Sequence, residues 1–402
     1  MAFIVQKFGG SSVADADRIR RVAGIIADTY IEGNDVVVVL SAQGDTTDDL
    51  IEKAGEINPN PSKREMDMLL STGEQISIAL MAMALEKMGL PVISLTGWQI
   101  GMSTNSDYGN ARIKRVDADR IKSELDKRRI VIVAGFQGIN KIDDVTTLGR
   151  GGSDTTAVAI AASLHADLCQ IYTDVEGVYT ADPRKVAGAQ KLDEITYDEM
   201  LELASLGAQV LHNRSVEMAK RYSVNLEVLS SFERKPGTKV KEVTKVEQTK
   251  ISGIAKDTNV ARIALVGLKD EPGIAFKIFR VMANAKINVD IILQSIGRGS
   301  TKDITFTVAI GDMDKAHQIL EDSKEAIGFT EMSVTDKVAK VSIVGAGMMS
   351  SSGIAALMFE ALFDAKININ MISTSEIKVS VLVDDDKADL AVQAIHKKFF
   401  GE

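Results

Sequence analysis

The last third of the chain contains an internal repeat. Residues 273–289 align with residues 353–369, and 8 of the 17 aligned positions are identical. Apolar runs typical of strands flank both copies, at 261–267 and 304–310 for the first and 339–345 and 377–383 for the second. A strand–helix–strand pattern that recurs in this way predicts two ferredoxin-like βαββαβ units of about 75 residues each.

The preceding residues alternate between apolar runs and helical patterns. Residues 36–40 form a continuous run of valines and a leucine, which is typical of a strand buried on both faces of a parallel sheet. Between residues 19 and 30 the apolar positions recur at helical spacing. The alternation predicts an α/β sandwich in which a mainly parallel sheet lies between helices.

A change in composition separates these two parts. From residue 236 to residue 248 lysines, valines and glutamates alternate, which indicates a linker and an edge strand. We therefore predict a first domain at 1–235, a linker with an edge strand at 236–257, and repeat units at 258–335 and 336–402.

Composition excludes several classes of function. The 402 residues are 45% hydrophobic, enough for several cores, and the net charge of −9 argues against nucleic acid or an anionic membrane as partner. The chain starts without a basic-then-apolar leader and has no uninterrupted apolar run of about 20 residues, so we expect a cytoplasmic protein outside the membrane. One cysteine and four scattered histidines predict neither a disulfide nor structural zinc.

The amino terminus carries a glycine turn. Residues 3–5 predict a strand, Gly9 and Gly10 a turn, and Ser12 with Asp15 a capping box at the start of a helix. Free N–H groups at such a helix start, together with Lys7, would form a cradle for phosphate. An ordinary βα turn with a surface lysine explains the same stretch, so both interpretations are open.

Similar turns recur along the first domain, each beside a charged residue. The charged residues are Lys7, Asp45, Arg150 with Asp154, Asp174 and Arg184. Mixed charges favour a polyanion bound together with a divalent metal, which is what phosphoryl transfer requires. No histidine accompanies these turns, and a carboxylate acceptor, already ionised near neutral pH, needs no base. The pattern therefore favours a carboxylate acceptor.

Four of these motifs together resemble those of the aspartate kinases, a branch of the amino acid kinase family. They are KFGGSS at 7–12, SAQGDTTD at 41–48, GRGGSD at 149–154 and TDVEGVYTADPR at 173–184. The repeats resemble the paired ACT domains of that family. The resemblance covers essentially the whole chain and implies an allosteric kinase that uses ATP and Mg²⁺ to phosphorylate the side-chain carboxylate of L-aspartate. This reaction is the first step toward lysine, threonine and methionine.

The resemblance also implies roles for individual residues. Lys7 would neutralise charge on the transferring phosphoryl group, and Asp154 would organise the lysine and the metal, with no protein side chain assigned as a metal ligand. The implied nucleotide-binding residues are Lys7, Gly9, Gly10, Ser11, Ser41, Thr173, Asp174, Tyr179 and Arg184. Many relatives have a lysine where this chain has Gln209, and Lys235 is a candidate replacement.

For the substrate, Arg150 would hold the α-carboxylate and Glu74 the ammonium group. The implied substrate-binding residues are Thr47, Glu74, Arg150, Gly151, Gly152 and Ser153. Two alternatives are open: Glu74 as a solvated helix residue, and Thr47 as a helix N-cap.

In the repeats, the resemblance places lysine, threonine or both as effectors between ACT units of two subunits, in a dimer or larger homo-oligomer, with or without a separate regulatory subunit. The implied residues are Asp270, Gly273, Ile274, Ala275, Asn288, Asp290 and Gln294 in the first unit and Met348, Met349, Asn368, Ile369, Thr374 and Ser375 in the second. A second unit that only dimerises is the alternative. Two competing functions are a kinase for glutamate or acetylglutamate and an amino-acid sensor with a degenerate kinase domain.

Overall fold

The computed structural model describes residues 2–206, 210–242, 251–295, 301–348 and 351–401. These residues form two compact units. The first comprises most of the chain up to residue 246, and the second comprises residues 180–190 and the chain from residue 247 onward.

The first unit contains twelve strands and eight helices among its described residues. The strands are β1 Phe3–Phe8, β2 Asp35–Leu40, β3 Val92–Leu95, β4 Met102–Thr104, β5 Ile113–Val116, β6 Ile130–Ala134, β7 Gln137–Ile139, β8 Val145–Thr147, β9 Leu168–Thr173, β10 Glu194–Thr196, β11 Leu226–Ser230 and β12 Thr238–Lys241. The helices are α1 Ala16–Ile31, α2 Thr46–Ile57, α3 Lys63–Leu70, α4 Thr72–Lys87, α5 Asp119–Leu125, α6 Gly152–Leu164, α7 Tyr197–Ser205 and α8 Asn213–Tyr222.

Eight of these strands form the main sheet, in the order β10-β12-β11-β9-β1-β2-β6-β3. All neighbouring pairs are parallel except β11 with β12. A smaller sheet has the order β5-β4-β7-β8. The predicted α/β class with a mainly parallel sheet is thus confirmed.

Helices cover both faces of the main sheet. Val36, Val38 and Leu40 of β2 pack with residues of α1 and α4 on one face. Because side chains alternate along a strand, Val37 and Val39 point to the other face, which α6 covers. This explains why β2 is apolar without interruption, as expected for a strand buried on both sides. The lone Cys169 lies buried in β9, where burial raises the pKa of its thiol.

The start of α1 differs from the prediction. Asp15 is itself the N-cap, and its carboxylate accepts hydrogen bonds from the backbone N–H groups of Asp17 and Arg18. Ser12 lies in a short 3₁₀ turn, Gly10–Val13, and its hydroxyl hydrogen-bonds to Ser231. The predicted capping box is therefore wrong, because the 3₁₀ turn separates Ser12 from the helix.

Helices α3 and α4 meet at Ser71. Within the described residues, the stretch Lys63–Lys87 is the one that is long and apolar enough to cross a membrane by length and composition alone. Ile78, Met81 and Leu85 of α4, however, pack in the core below the main sheet, as in an ordinary core helix.

The second unit contains two four-stranded antiparallel sheets, each with helices. The strands are β13 Gly253–Asp257, β14 Ala261–Lys269, β15 Ile292–Gln294, β16 Thr301–Val308, β17 Glu331–Thr335, β18 Val338–Val344, β19 Met371–Thr374 and β20 Lys378–Asp384. The helices are α9 Ile274–Asn284, α10 Met313–Asp322, α11 Lys324–Ile327, α12 Ile354–Asp364 and α13 Ala388–Phe400.

The two repeats obtain their strands differently. The first sheet, β15-β16-β14-β17, uses strands of its own repeat in βαββαβ order. The second sheet, β13-β18-β20-β19, takes its fourth strand from β13, which precedes the first repeat in the chain. The first repeat is therefore inserted within the second. β12, in the stretch 236–248 where an edge strand was predicted, lies between β10 and β11 inside the main sheet, whereas the edge strand β13 comes later in the chain.

Residues 180–190 also belong to the core of the second repeat. Ala181 and Val186 are buried with Ile254 and Ile395, which lie on β13 and α13. The Thr180 hydroxyl lies 3.0 Å from Nε2 of the buried His396, where burial lowers the imidazole pKa. This segment joins directly to Tyr179, the last residue before it in the first unit.

Candidate active site

The carboxyl ends of β1 and β2 meet the first turn of α6. Lys7, the penultimate residue of β1, projects toward the face that α6 covers, opposite to Phe8 in the α1 and α4 core. Its Nζ lies 2.7 Å from Oδ1 of Asp154, and both side chains are 11% exposed. The contact is an ion pair without the alignment of a hydrogen bond. The main sheet and α6 thus bring together the two predicted catalytic residues.

Glu74 reaches the same place from the first turn of α4. A Cβ on Gly73 would lie 2.8 Å from the Ala42 side chain, so glycine allows α4 to approach the end of β2. Oε1 of Glu74 accepts a hydrogen bond of 3.1 Å from the Ala42 N–H, whereas Oε2 is buried without a partner among the described residues. Burial raises the pKa of Glu74 to about 7. With 3% exposure, Glu74 is not the solvated helix residue that one alternative proposed.

Arg150 lies in a glycine turn between β8 and α6. Gly149 and Gly151, on either side, have φ values of +76° and +69°. A Cβ on Gly151 would lie 2.2 Å from the His212 ring, so the imidazole supports the turn directly. The Arg150 side chain is exposed and has no side-chain hydrogen bond or ion pair with a described residue. It is therefore available to bind an anion.

These groups line a cavity of about 310 Å³. Its walls include the predicted residues Lys7, Gly9, Gly10, Ser41, Thr47, Glu74, Arg150, Gly151, Gly152, Ser153 and Asp154. Thr47 is the second residue of α2, whose N-cap is Asp45, so the N-cap alternative for Thr47 is wrong. The cavity combines two cations, two carboxylates and several backbone N–H groups, as binding of two anionic ligands requires.

The cavity does not include the other predicted nucleotide-binding residues. Thr173 ends β9, which pairs with β1, so it lies beside Gly9, and its hydroxyl donates to Asp174. Ser11 is exposed in the 3₁₀ turn. Arg184 belongs to the second unit and pairs with Asp182 at 3.0 Å. The nucleotide roles of Ser11, Thr173, Asp174, Tyr179 and Arg184 therefore stay predictions.

Gln209 and Lys235 are the two residues considered for the phosphate side of the nucleotide site. Gln209 lies outside the described residues. Lys235 is ion-paired with Glu176 at 2.8 Å and with Glu233 at 2.6 Å, and these carboxylates raise its pKa. Because Glu176 is part of the predicted nucleotide segment, Lys235 contacts that segment through it.

Sequence analysis gave no individual role to four residues that line the cavity: Ala42, Gly44 and Gly149, which lie within the motifs, and Phe136, which does not. Phe136 has φ +68°, a strained value for a large side chain, and its carbonyl accepts a hydrogen bond from Leu148. A phenylalanine in a left-handed conformation carries no signal in the sequence, whereas the motif glycines do.

Metal binding by side chains alone has no support in the described part of the chain, where no group of three or more His, Cys, Asp or Glu could hold an ion. Asp154 is nevertheless a carboxylate at the cavity wall. One such group suits Mg²⁺, which uses one or two carboxylates together with water and substrate phosphates.

The predicted effector residues of the first repeat lie around the start of α9 and the edge strand β15. Asp270 is paired with Lys302 at 2.6 Å. Asp290 is paired at 2.5 Å with Lys340, which belongs to the second repeat. Ile274 is buried in the core, so only its backbone can contact a ligand, while Gly273, Asn288 and Gln294 are exposed and Ala275 is half-buried.

The equivalent residues of the second repeat surround its edge strand β19. Asn368, Thr374 and Ser375 are exposed, and Ile369 and Met348 pack partly against the core. Met349 lies outside the described residues. The effector roles in both repeats stay predictions.

We expect the Gly151→Ala variant to lose activity as well as stability, since its methyl group would collide with His212 and its φ is positive. The matched control is Gly33→Ala, where φ is +93° but the surrounding space is open. The control should lose about 1 kcal/mol of unfolding free energy and keep full activity. Thermal unfolding and steady-state kinetics measure both. Equal behaviour of the two variants would contradict the supporting role of His212.

Fold and cavity together define a class of protein: a small-molecule kinase domain joined to a pair of regulatory-type α/β repeats. A sequence model of the amino acid kinase family matches residues 2–230, and a model of the ACT domain matches residues 263–323 and 341–399. The first match lies mainly in the first unit, although it includes residues 180–190, and the second match lies within the second unit.

Individual relatives narrow the class. The aspartokinase of Mycolicibacterium smegmatis is 52% identical over 406 residues, covering 99% of this chain and 96% of the relative. The crystal structure of E. coli aspartokinase III with aspartate and ADP is 28% identical, with a TM-score of 0.84 over 99% of this chain and 100% of that chain. The lysine and aspartate complex of the same E. coli enzyme has a TM-score of 0.77 at 28% identity, over 99% of both chains. This chain belongs to the aspartate kinases of the amino acid kinase family.

Proposed function

We propose that the enzyme transfers the terminal phosphoryl group of ATP to the side-chain carboxylate of L-aspartate, giving 4-phospho-L-aspartate for lysine, threonine and methionine synthesis. The observation that carries this proposal is the shared cavity, in which the Lys7–Asp154 pair lies beside Arg150 and Glu74. An ADP complex is known for E. coli aspartokinase III, which supports nucleotide use here.

The cavity residues divide into two groups by the charges that they would meet. Arg150 presents a planar guanidinium that suits the α-carboxylate of aspartate, and the unpartnered Oε2 of Glu74 suits its ammonium group. Ser41 and Thr47 supply hydroxyl groups to the same walls. These contacts would orient the side-chain carboxylate toward Lys7.

Lys7 and the glycine N–H groups would take the charge of the transferring phosphoryl group. The acceptor is an ionised carboxylate at neutral pH, so the step requires no general base. None of the cavity-lining residues in the described part of the chain is a histidine, in keeping with this mechanism. Mg²⁺, when bound with ATP, would neutralise phosphate charge, and Asp154 is the cavity-wall carboxylate that would hold it.

We propose further that lysine, threonine or both inhibit the enzyme through the ACT repeats, and that the repeats of two subunits associate. Lysine is bound in the T-state structure of E. coli aspartokinase III. Both repeats begin their first helix after an equivalent glycine, Gly273 or Gly353, and both expose an edge strand, β15 or β19. A dimer would place such edges together, and inhibition would be a coupling free energy between two sites.

The test is ADP release with aspartate, glutamate and N-acetylglutamate as acceptors, each with and without lysine and threonine. We expect release with aspartate alone, and a lower rate when an effector is added. Isothermal titration calorimetry with each amino acid provides the control for binding. Aspartate-dependent release without binding of either amino acid would contradict the regulatory part and leave the catalytic part standing.

A further inference from the structure

Two charged side chains outside the cavity hold residues 147–150, the segment that ends in Arg150 and is called the Arg150 loop below. The first is Asp67 of α3, which is 1% exposed. Its Oδ2 accepts hydrogen bonds from the N–H groups of Thr147 at 2.9 Å and Gly109 at 3.0 Å. Its Oδ1 accepts a bond of 2.6 Å from the Thr147 hydroxyl. The carboxylate thus fixes the last residue of β8, three positions before Arg150.

The second is Arg214 of α8, which is half-buried. Its Nη1 donates to the carbonyl of Leu148 at 2.5 Å, and its Nη2 donates to the carbonyl of Ala111 at 2.9 Å. Nη1 also lies 3.4 Å from Oδ1 of Asn110. The guanidinium therefore fixes the residue that follows Thr147 and ties it to the same neighbouring loop, 109–111, that Asp67 holds.

The two contacts are complementary. Asp67, on α3, accepts from N–H groups, and Arg214, on α8, donates to carbonyl groups. Two successive residues, Thr147 and Leu148, are therefore held by charges of opposite sign. Beyond the segment, Gly149 and Gly151 turn the chain and Arg150 projects between them. Arg150 itself has no side-chain partner among the described residues, so its position depends on the loop.

A buried carboxylate is costly to desolvate, and Asp67 has no ion-pair partner among the described residues. All three donors that compensate this cost belong to the Arg150 loop or to the loop beside it. At a purely structural position, a neutral side chain could accept such hydrogen bonds with a smaller desolvation free energy. The cost is explained if the exact placement of Arg150 matters.

We propose that Asp67 and Arg214 are positioning residues for aspartate recognition, which act by fixing the loop from which Arg150 binds the substrate α-carboxylate. The inference rests on the proposed role of Arg150. Neither residue lines the cavity, so each acts on the substrate only through Arg150.

The test compares KM for aspartate, KM for ATP and kcat in Asp67→Asn, Arg214→Met, Arg150→Ala and the Asp67→Asn/Arg150→Ala double variant. We expect Asp67→Asn and Arg214→Met to raise the aspartate KM by at least about tenfold, as misplacement of a binding group by about 1 Å does. The ATP KM should change less than about twofold. Arg214→Lys should not restore the aspartate KM, because a single ammonium nitrogen does not reproduce the two separate donor nitrogens, Nη1 and Nη2, that bind the two carbonyls.

The matched control is Asp144→Asn. Asp144 also joins α3 to the small sheet, through Arg64 at 2.9 Å, but it lies at the turn between β7 and β8, and its carboxylate bonds to the side chains of Arg64 and Tyr108, not to the Arg150 loop. We expect this variant to keep the aspartate KM. The double variant should have the aspartate KM of Arg150→Ala alone, because the loop no longer carries a group to position.

The other possible results of these measurements contradict the inference, alone or together with the proposed role of Arg150. An unchanged KM in Arg150→Ala removes the proposed role of Arg150, and the inference with it. A raised KM in Arg150→Ala together with unchanged values in Asp67→Asn and Arg214→Met overturns the inference alone. Losses that multiply in the double variant, or an ATP KM that rises equally, also overturn it. If Asp67→Asn does not fold, Arg214→Met with Arg214→Lys, each also combined with Arg150→Ala, decides the question.

Discussion

Replacing Lys7 with methionine is expected to lower kcat by at least about 10³-fold, because it removes the charge that meets the transferring phosphoryl group. The Lys7 ammonium is almost fully buried and lies 2.7 Å from Asp154. Preorganised charge in such a site acts strongly, since little water screens it. The measurement is ADP release at saturating ATP and aspartate.

Loss of activity must be separated from loss of fold. Methionine leaves the buried Asp154 without its partner, which lowers stability by an amount typical of broken buried pairs, about 3–5 kcal/mol. Activity is therefore measured well below the melting temperature, with circular dichroism as a check. The control is Lys239→Met, the same exchange at an exposed position of β12 in the same sheet. Near-normal turnover of a folded Lys7→Met enzyme would overturn the role of Lys7.

Glu74 should make aspartate binding depend on pH near neutrality. Its pKa in the free enzyme is raised by burial to about 7. Below that pH the carboxyl is neutral and cannot pair with the substrate ammonium group, so the aspartate KM should rise as pH falls from 8 to 6. Near pH 6, aspartate should bind to the enzyme with Glu74 ionised, so binding should release the proton that Glu74 carries in the free enzyme. Calorimetry in buffers of different ionisation enthalpy measures that release.

The Glu74→Gln variant separates this group from others. We expect an aspartate KM raised about a hundredfold, as loss of a charge-assisted bond of roughly 3 kcal/mol implies, and no inflection near pH 7. The ATP KM should stay unchanged. His212 contacts Gly151 at the cavity wall, but burial lowers its pKa from 6.5, which moves its titration away from 7. A persistent inflection near pH 7 in Glu74→Gln would exclude Glu74 as its source.

The raised pKa of Glu74 also makes the stability of the free enzyme depend on pH. The folded pKa of Glu74 lies above the value of 4.5 expected when unfolded. Its stabilising contribution is thus fully present below pH 4.5 and is lost as pH rises through 7. Without substrate, Glu74→Gln should therefore melt at a higher temperature than the wild type at pH 8. A lower melting temperature there would contradict the buried, unpaired state of this carboxyl.

Most residues of the candidate site could be predicted from the sequence motifs. Glycines mark turns, and each of these turns carries a charged residue, so Lys7, Arg150 and Asp154 could be predicted to belong to one site. The mainly parallel character of the sheet followed from apolar runs alternating with helices. What remained hidden depends on contacts distant in the chain: Asp67 holding Thr147, Arg214 holding Leu148, and the strained backbone of Phe136 have no local signature.

The second repeat shows the same limit at the level of topology. Its helix α12 and the flanking strands β18 and β20 were predicted from similarity to the first repeat, whereas the place of β13 in this sheet was not, because strand pairing between distant segments leaves no periodicity to detect. The position of Thr180–Gln190 in that core was missed for the same reason.

The insertion of the first repeat within the second also sets the order in which the two repeats can fold during synthesis. β13 is synthesised first, but β18, its only partner strand among the described residues, follows a complete ACT domain later. The first repeat can finish folding before β18 is made, while β13 is still unpaired. The first repeat should therefore tolerate deletion of the second repeat better than the second repeat tolerates deletion of β13. For a shorter polypeptide translated from an internal start codon, the practical boundary is Gly253: a start downstream of it would leave the sheet of the second repeat one strand short.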